Sequence, residues 1–124
     1  MSPSSTDEAR YSGNRDDGER HGNPDEHHAW AHAEAMMEQA RAMMREAETA
    51  METWKVGKEM NRVYCKHRGI SETDAEIRWA ATATAKNAIS ANNFYVTLAQ
   101  MYYGAASASY SRALYLRSRD AARI

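Results

Sequence analysis

Small and apolar side chains recur along the first half of the chain at alternating steps of three and four residues. The series comprises Ala33, Met36, Ala40, Met43, Ala47, Ala50, Trp54, Gly57, Asn61 and Tyr64. A charged series with similar spacing falls on the opposite side and comprises Glu34, Glu38, Arg41, Arg45, Glu48, Glu52, Lys55, Glu59, Arg62 and Lys66. A sustained repeat of 3.5 residues predicts a long helix that packs in coiled-coil fashion and keeps its charged face in water.

The second half of the chain contains a run from Asn87 to Ser111 without a charged residue, although 27% of the protein is charged. Two series at helical spacing lie in this part of the chain. One comprises Ala88, Ala91, Tyr95, Leu98, Tyr102, Ala105 and Ser109, and the other comprises Ile89, Asn92, Val96, Ala99, Tyr103, Ala106 and Tyr110. A helix without charge on any face offers little surface to water, so we expect it to pack on several sides.

Capping signals predict where these two helices begin and end. Asn23 and Pro24 supply an N-cap and a proline at the first helical position. Gly69 follows three basic residues and can adopt the left-handed C-cap conformation, and Ser71 can cap a new helix start. We predict helix one over about 24–68 and helix two over about 71–119. A link this short makes them antiparallel neighbours in a long helical hairpin, with Tyr110 about level with Trp30.

Length and composition fit one all-α domain. The first 24 residues hold both prolines and three of the six glycines, which predicts a disordered polar tail over 1–23 before a helical hairpin domain over 24–124. The net charge is only -1, and the single cysteine, Cys65, excludes an internal disulfide. A lone cysteine and a polar N-terminus without an apolar segment predict a cytoplasmic location. Several amides in the uncharged run argue against a membrane span.

The large side chains of the two helices form the candidate interface with other chains. Buried tyrosine and asparagine side chains need hydrogen-bond partners, and one satisfied polar layer can fix register and oligomer number. The candidate interface residues are Tyr95, Leu98, Tyr102, Tyr103, Tyr110, Asn92, Met36, Met43 and Trp54. A ligand cavity is the alternative for the aromatic residues. We favour the interface and expect a homo-oligomer with helix two inward, together with another protein as partner.

Asp25, His28 and His32 form the candidate metal site. A histidine pair at i and i+4 can chelate a divalent ion, and the carboxylate would add a third ligand. A polar helix start in solvent explains the same residues, and helix two has no carboxylate and histidine set for a di-iron bundle.

Cys65 and His67 lie at the other end of helix one and do not form a nucleophilic site. We therefore predict no enzyme activity, no cofactor and no small-molecule substrate.

The C-terminus is basic because it contains Arg112, Arg117, Arg119 and Arg123. Nucleic-acid binding through these arginines is an alternative function. The sequence pI near 6.5 and the lack of helix-turn-helix spacing argue against it. Cations at a helix C-terminus are also favourable without any ligand.

These patterns together predict a non-enzymatic structural, scaffolding or adaptor protein that acts through helix–helix association. Small chains with strong assembly signals are common in phages and mobile elements, so a phage-encoded, virion-associated role is an expectation from class alone. A nucleic-acid-binding or regulatory helical protein is the first alternative, and a metal-binding helical protein is the second.

Overall fold

A computed structural model describes residues 23–123, and no β-strand occurs in this range. Helix α1 spans Pro24–His67, α2 spans Glu72–Ala80 and α3 spans Ala83–Ala122. The all-α class and the bounds of helix one are therefore confirmed. The single helix predicted over 71–119 is wrong, because it is interrupted at residues 81 and 82. The predicted disordered tail lies, except for Asn23, outside the described residues.

The helices form two compact units. We call Glu38–Tyr102 the loop unit, since it contains the link between α1 and α2. The described residues of the other, 23–37 and 103–123, are called the terminal unit. Both α1 and α3 contribute to each unit.

The link between α1 and α2 has the predicted caps. Gly69 adopts a φ of 75°, and the Ile70 N–H donates to the Cys65 carbonyl at 2.9 Å. This left-handed C-cap satisfies a carbonyl at the helix end that would otherwise lack a partner. The Ser71 hydroxyl accepts from the Asp74 N–H at 3.2 Å and starts α2. Two consecutive caps therefore reverse the chain within four residues.

Thr82 separates α2 from α3. Its hydroxyl donates to the Trp79 carbonyl at 2.7 Å and accepts from the Ala85 N–H at 3.1 Å. Its backbone N–H also donates to the Trp79 carbonyl, at 3.0 Å. One side chain therefore finishes the first helix and caps the second.

The interruption changes the phase of the buried face. Trp79 and Ala85 are both buried but are six residues apart. In a regular α-helix, residues six apart point in directions about 120° apart, whereas residues seven apart differ by about 20°. The bonds that Ala81 and Thr82 donate to carbonyls three residues earlier tighten the chain locally. This extra rotation allows both side chains to be buried.

Two asparagine amides show that the helices of the loop unit are antiparallel. The Asn61 Nδ2 donates to the Ala75 carbonyl at 2.9 Å, and the Asn92 Nδ2 donates to the Ala47 carbonyl at 3.0 Å. As residue numbers fall along α1, they rise along the opposing helices. Both amides reach the backbone of the opposite helix, which requires the helices to approach closely.

Alanine occupies many of the buried positions between the helices. In the loop unit these residues are Ala40, Ala47, Ala75, Ala85, Ala88 and Ala99. Ala40 and Ala47 are one heptad apart on α1, and Asn92 stands midway between Ala85 and Ala99 on α3. The distance between packed helices depends on the side chains at their contact, so small residues here allow close packing.

The predicted buried series fails at Tyr64, which is exposed, whereas the adjacent Cys65 is buried. A straight α-helix drifts by about 20° per heptad from a 3.5-residue repeat. Over more than four heptads from Ala33, this drift moves the buried face from Tyr64 to the next residue. Cys65 also donates a weak hydrogen bond from its Sγ to the Asn61 Oδ1, at 3.9 Å.

Trp79 packs across Gly57. It is only 5% exposed, and its ring meets that of Trp54 edge to face with centroids 6.3 Å apart. A Cβ atom at Gly57 would overlap the Trp79 indole. The glycine therefore provides the space that the largest buried side chain of α2 occupies.

In the terminal unit, α1 and α3 are also antiparallel. The Asn23 Nδ2 donates to the Asp120 Oδ2 at 2.7 Å, and the rings of Trp30 and Tyr110 meet edge to face with centroids 5.5 Å apart. The Asn23 Oδ1 accepts from the Asp25 N–H at 2.8 Å and so forms the predicted N-cap of α1. The structure thus confirms the predicted level of Tyr110 opposite Trp30.

We expect Gly57→Ala to destabilise the protein by about 1–3 kcal/mol, because the added methyl group overpacks against Trp79. Gly104→Ala is the matched control, since Gly104 is also helical and has no atom close to its missing Cβ. Better helix propensity should make that variant more stable by about 0.5–1 kcal/mol. Urea unfolding followed by circular dichroism measures both. Equal stabilisation by the two substitutions would contradict the packing of Trp79 on Gly57.

Candidate interaction surfaces

An uncharged stripe of α3 is the main candidate interaction surface of the loop unit. We call it the Phe94 stripe; its residues are Asn87, Ala91, Phe94, Leu98 and Met101. Steps of four and three residues place these side chains on one side of the helix. Phe94 is 58% exposed and Met101 is 65% exposed, while Ala91 and Leu98 are half-buried.

The Phe94 stripe runs beside the face of α3 that is turned inward. That inward face comprises Ala88, Asn92, Tyr95, Ala99 and Tyr102, which are buried or half-buried. Each stripe residue directly precedes one of these residues, so the stripe lies about 100° around the helix from the inward face. Helix α3 therefore has two parallel series with heptad spacing, of which one is covered within the loop unit and the other contains large exposed side chains.

Polar, uncharged residues border the stripe on its other side from Ala91 to Met101, whereas Lys86 precedes Asn87 at its start. They are Ser90, Asn93, Thr97 and Gln100, and each directly precedes a stripe residue. The Thr97 hydroxyl donates to the Asn93 carbonyl at 2.9 Å, so it is satisfied by its own helix. An apolar centre with a polar rim is the usual anatomy of a protein interface.

Sequence reasoning missed Phe94 and Met101. Neither belongs to the two apolar series that we predicted for helix two, although both lie in the uncharged run. The available signal was their spacing: Phe94 and Met101 are seven residues apart, and each follows Ala91 or Leu98 by three residues. Each predicted series mixed residues of the inward face with residues outside it. A helix that is apolar on several sides has no polar boundary that would mark where one face ends.

Several predicted interface residues make contacts inside their own unit. Trp54 packs on Trp79, Asn92 bonds to the Ala47 carbonyl, and Tyr110 packs on Trp30. The other predicted residues differ in exposure. Tyr103 is exposed, whereas Met36, Met43, Tyr95, Leu98 and Tyr102 are half-buried. Of the predicted set, Leu98 alone belongs to the Phe94 stripe.

A second exposed apolar series lies on α1 and comprises Val56, Met60 and Val63. A charged residue precedes each of its members: Lys55, Glu59 and Arg62. The Arg62 Nη2 lies 2.7 Å from the Glu59 Oε2. This series is therefore bordered by charges, unlike the Phe94 stripe.

A small cleft lies between α1 and α2, and charged side chains line much of it. Lys58 Nζ lies 4.0 Å from Glu76 Oε2, and Arg62 Nη1 lies 3.9 Å from Glu72 Oε2. These opposite charges face each other across the cleft. The arrangement fits ion pairing between the two helices.

Glu26 is the centre of a polar cluster in the terminal unit. Its Oε2 accepts from the Trp30 Nε1 at 3.0 Å and from the Arg117 Nε at 2.9 Å. The Arg117 guanidinium also lies over the Trp30 ring, 5.1 Å from its centroid. The Trp30 hydrogen bond, followed by the hydrogen bond and charge of Arg117, lowers the pKa of Glu26 below its ordinary 4.5.

Two of the four basic C-terminal residues lie close to carboxylates. Arg119 Nη2 lies 3.3 Å from the Asp120 Oδ1, and Arg117 is paired with Glu26. The Asn23 hydrogen bond and then the Arg119 contact lower the pKa of Asp120 below its ordinary 3.8. Arg112 and Arg123 are exposed. Two of the four arginines proposed for nucleic-acid contact therefore have carboxylate partners within the fold.

The structure brings together no metal-binding group at the predicted metal site. Asp25, His28 and His32 are exposed, and the His32 Nδ1 lies 2.6 Å from the Ser109 Oγ. Between residues 23 and 123, no three His, Cys, Asp or Glu side chains come together so that they could hold a metal ion.

Comparisons with protein-family models, with curated proteins and with solved structures find no match. Over the described part of the chain, no helix combines the length and apolarity needed to cross a membrane. What the chain can bind is therefore indicated by its own surfaces. Among these, the Phe94 stripe has the exposed apolar side chains, the helical spacing and the uncharged border that a helix–helix contact uses.

The lowered pKa of Glu26 predicts an acid-sensitive contact. Since its folded pKa lies below 4.5, the contact stabilises the folded state fully above pH 4.5 and is lost as the pH falls through the folded pKa. We expect the Trp30 indole N–H resonance to shift with a midpoint below pH 4.5 in an NMR titration. Glu26→Gln should abolish that shift. A midpoint at or above 4.5 would contradict the Glu26–Trp30–Arg117 arrangement.

Proposed function

We propose that this chain is a non-enzymatic structural, scaffolding or adaptor protein, and that it acts by binding a helix of another protein chain along the Phe94 stripe. The observation that supports this function is the exposure of Phe94 and Met101 on a helix face with no charged residue at or beside it from residue 90 to residue 101. Contiguous exposed apolar surface with a polar rim is typical of protein interaction sites.

The energetics favour covering this face. Complete burial of a Phe or Met side chain stabilises by about 1.5–3 kcal/mol, so burying the exposed half of both residues contributes roughly 2 kcal/mol. A helix is the natural partner, because side chains at alternating steps of four and three form a seam that packs into the holes between the side chains of another helix. An extended strand would not match this spacing.

The Phe94 stripe is a better candidate than the apolar series on α1. Any helix that packs on Val56, Met60 and Val63 would also approach the neighbouring charges and partly desolvate them. Taking a charge out of water is costly unless it is paired in the complex. The uncharged residues beside the Phe94 stripe impose no such penalty.

Site-specific photocross-linking tests this function. A benzophenone amino acid is placed at Phe94 or Met101, and the protein is irradiated in cells of its source organism. We expect discrete cross-linked products at both positions, since a covering helix lies within reach of both side chains. Met60 is the matched control, because it is 68% exposed but lies on α1 outside the stripe.

The pattern of products decides the result. Products at Phe94 and Met101 with none at Met60 would support association through the Phe94 stripe. Absence of products at Phe94 and Met101, or equal products at all three positions, would overturn the proposed function.

A further inference from the structure

We infer that the helix covering the Phe94 stripe is the same stripe of a second copy of this chain, antiparallel to the first and related by a twofold axis beside Leu98. This inference depends on the proposed function, because it names the partner for the same surface. It rests on the order of side chains in the stripe, on its lack of charge and on the way α3 already packs.

The order of side chains makes the stripe complementary to itself. Phe94 and Met101 lie on either side of Leu98, at nearly equal distances along the helix. When two such helices run antiparallel about Leu98, Phe94 of each copy lies beside Met101 of the other, and the two Leu98 side chains meet at the axis. A twofold contact must pair a surface with itself, and this arrangement does so. It also creates two sulfur–aromatic contacts, which are favourable.

The charge pattern also favours a second copy. In a twofold contact, a charge near the axis lies close to the same charge of the other copy, so like charges repel there. The Phe94 stripe and the polar residues beside it include no charge. A charged partner would gain no electrostatic attraction on this surface. An identical uncharged face can pack on it without electrostatic repulsion.

The loop unit already shows this kind of packing. The inward face of α3 has the same spacing as the stripe and lies antiparallel to α1, as the bond from Asn92 to the Ala47 carbonyl shows. An antiparallel helix on the Phe94 stripe would repeat that arrangement about 100° around α3. The same helix can therefore contact α1 and a second copy at once.

The size of the contact predicts a reversible dimer. From residue 87 to residue 101 the stripe is roughly 20 Å long and about 10 Å wide, or roughly 200 Å². Standard stable interfaces bury about 800 Å² per partner. We therefore expect a dimer that dissociates on dilution, with a monomer–dimer equilibrium visible by sedimentation equilibrium over a wide concentration range.

Two opposite charge substitutions test the arrangement. We expect Phe94→Glu and Met101→Lys each to weaken self-association by about tenfold or more when measured alone, because each places two unpaired charges in the dimer. When the two variants are mixed, a dimer of one copy of each variant can form. In this mixed dimer the introduced carboxylate lies beside the introduced ammonium, and the other contact remains a native Phe94–Met101 pair. The mixture should therefore associate more strongly than either variant alone.

Met60→Lys is the matched control. It introduces the same charge at an equally exposed methionine outside the stripe and should leave the dimer unchanged. Circular dichroism should show wild-type helix content for all variants, since the substituted side chains are largely exposed. Phe94→Ser, which weakens the contact without a charge, provides a second variant should the charged forms unfold.

The outcomes separate this inference from the proposed function. A mixture no stronger than its components would overturn the antiparallel pairing, because that pairing places the introduced carboxylate beside the introduced ammonium. Loss of the dimer in Met60→Lys would show that another face mediates it. A wild-type chain that stays monomeric at every concentration would overturn the second copy as partner. In that case, cross-links from Phe94 to a different protein would leave the proposed function standing.

Discussion

Close approach of the helices is the constraint on which the other features depend. Alanine at buried positions of α1 and α3 keeps side-chain bulk out of the contact, so the backbones come near each other. The Asn61 and Asn92 amides can then reach carbonyls of the opposite helix. Trp79 is the large exception among the buried residues of the loop unit, and it is accommodated because Gly57 has no side chain to oppose it.

The same constraint explains why α3 exposes large apolar residues. Since the inward face of α3 consists of alanine, asparagine and half-buried tyrosine, the bulky Phe94 and Met101 lie to one side. Within residues 23–123, no further helix covers that side of the loop unit. The exposed stripe is therefore a consequence of tight packing within the hairpin, and the absence of charge beside it leaves the stripe open to association.

The sequence was informative where local chemistry decides the structure and less so where small phase changes decide it. The caps at Asn23, Gly69 and Ser71 and the pairing of Trp30 with Tyr110 follow from residue type and from hairpin geometry. The helix interruption at Thr82 has no glycine or proline to indicate it and depends on the six-residue step from Trp79 to Ala85. The drift of a straight helix moved Tyr64 off the buried face of α1. Because α3 is apolar on several sides, the sequence did not show which of its residues face inward and which are exposed.

Two similar faces on one helix raise the question of what selects the inward one. A rotation of α3 by about 100° would turn the Phe94 stripe toward α1 instead. That alternative would place Phe94 in a contact built for alanine, and it would remove the Asn92 amide from the Ala47 carbonyl. It would also conflict with Thr82, whose bonds to Trp79 and Ala85 fix the phase of α3 relative to α2. A few polar and steric contacts thus specify which face of α3 packs on α1. Buried polar residues specify the packing of coiled coils in the same way.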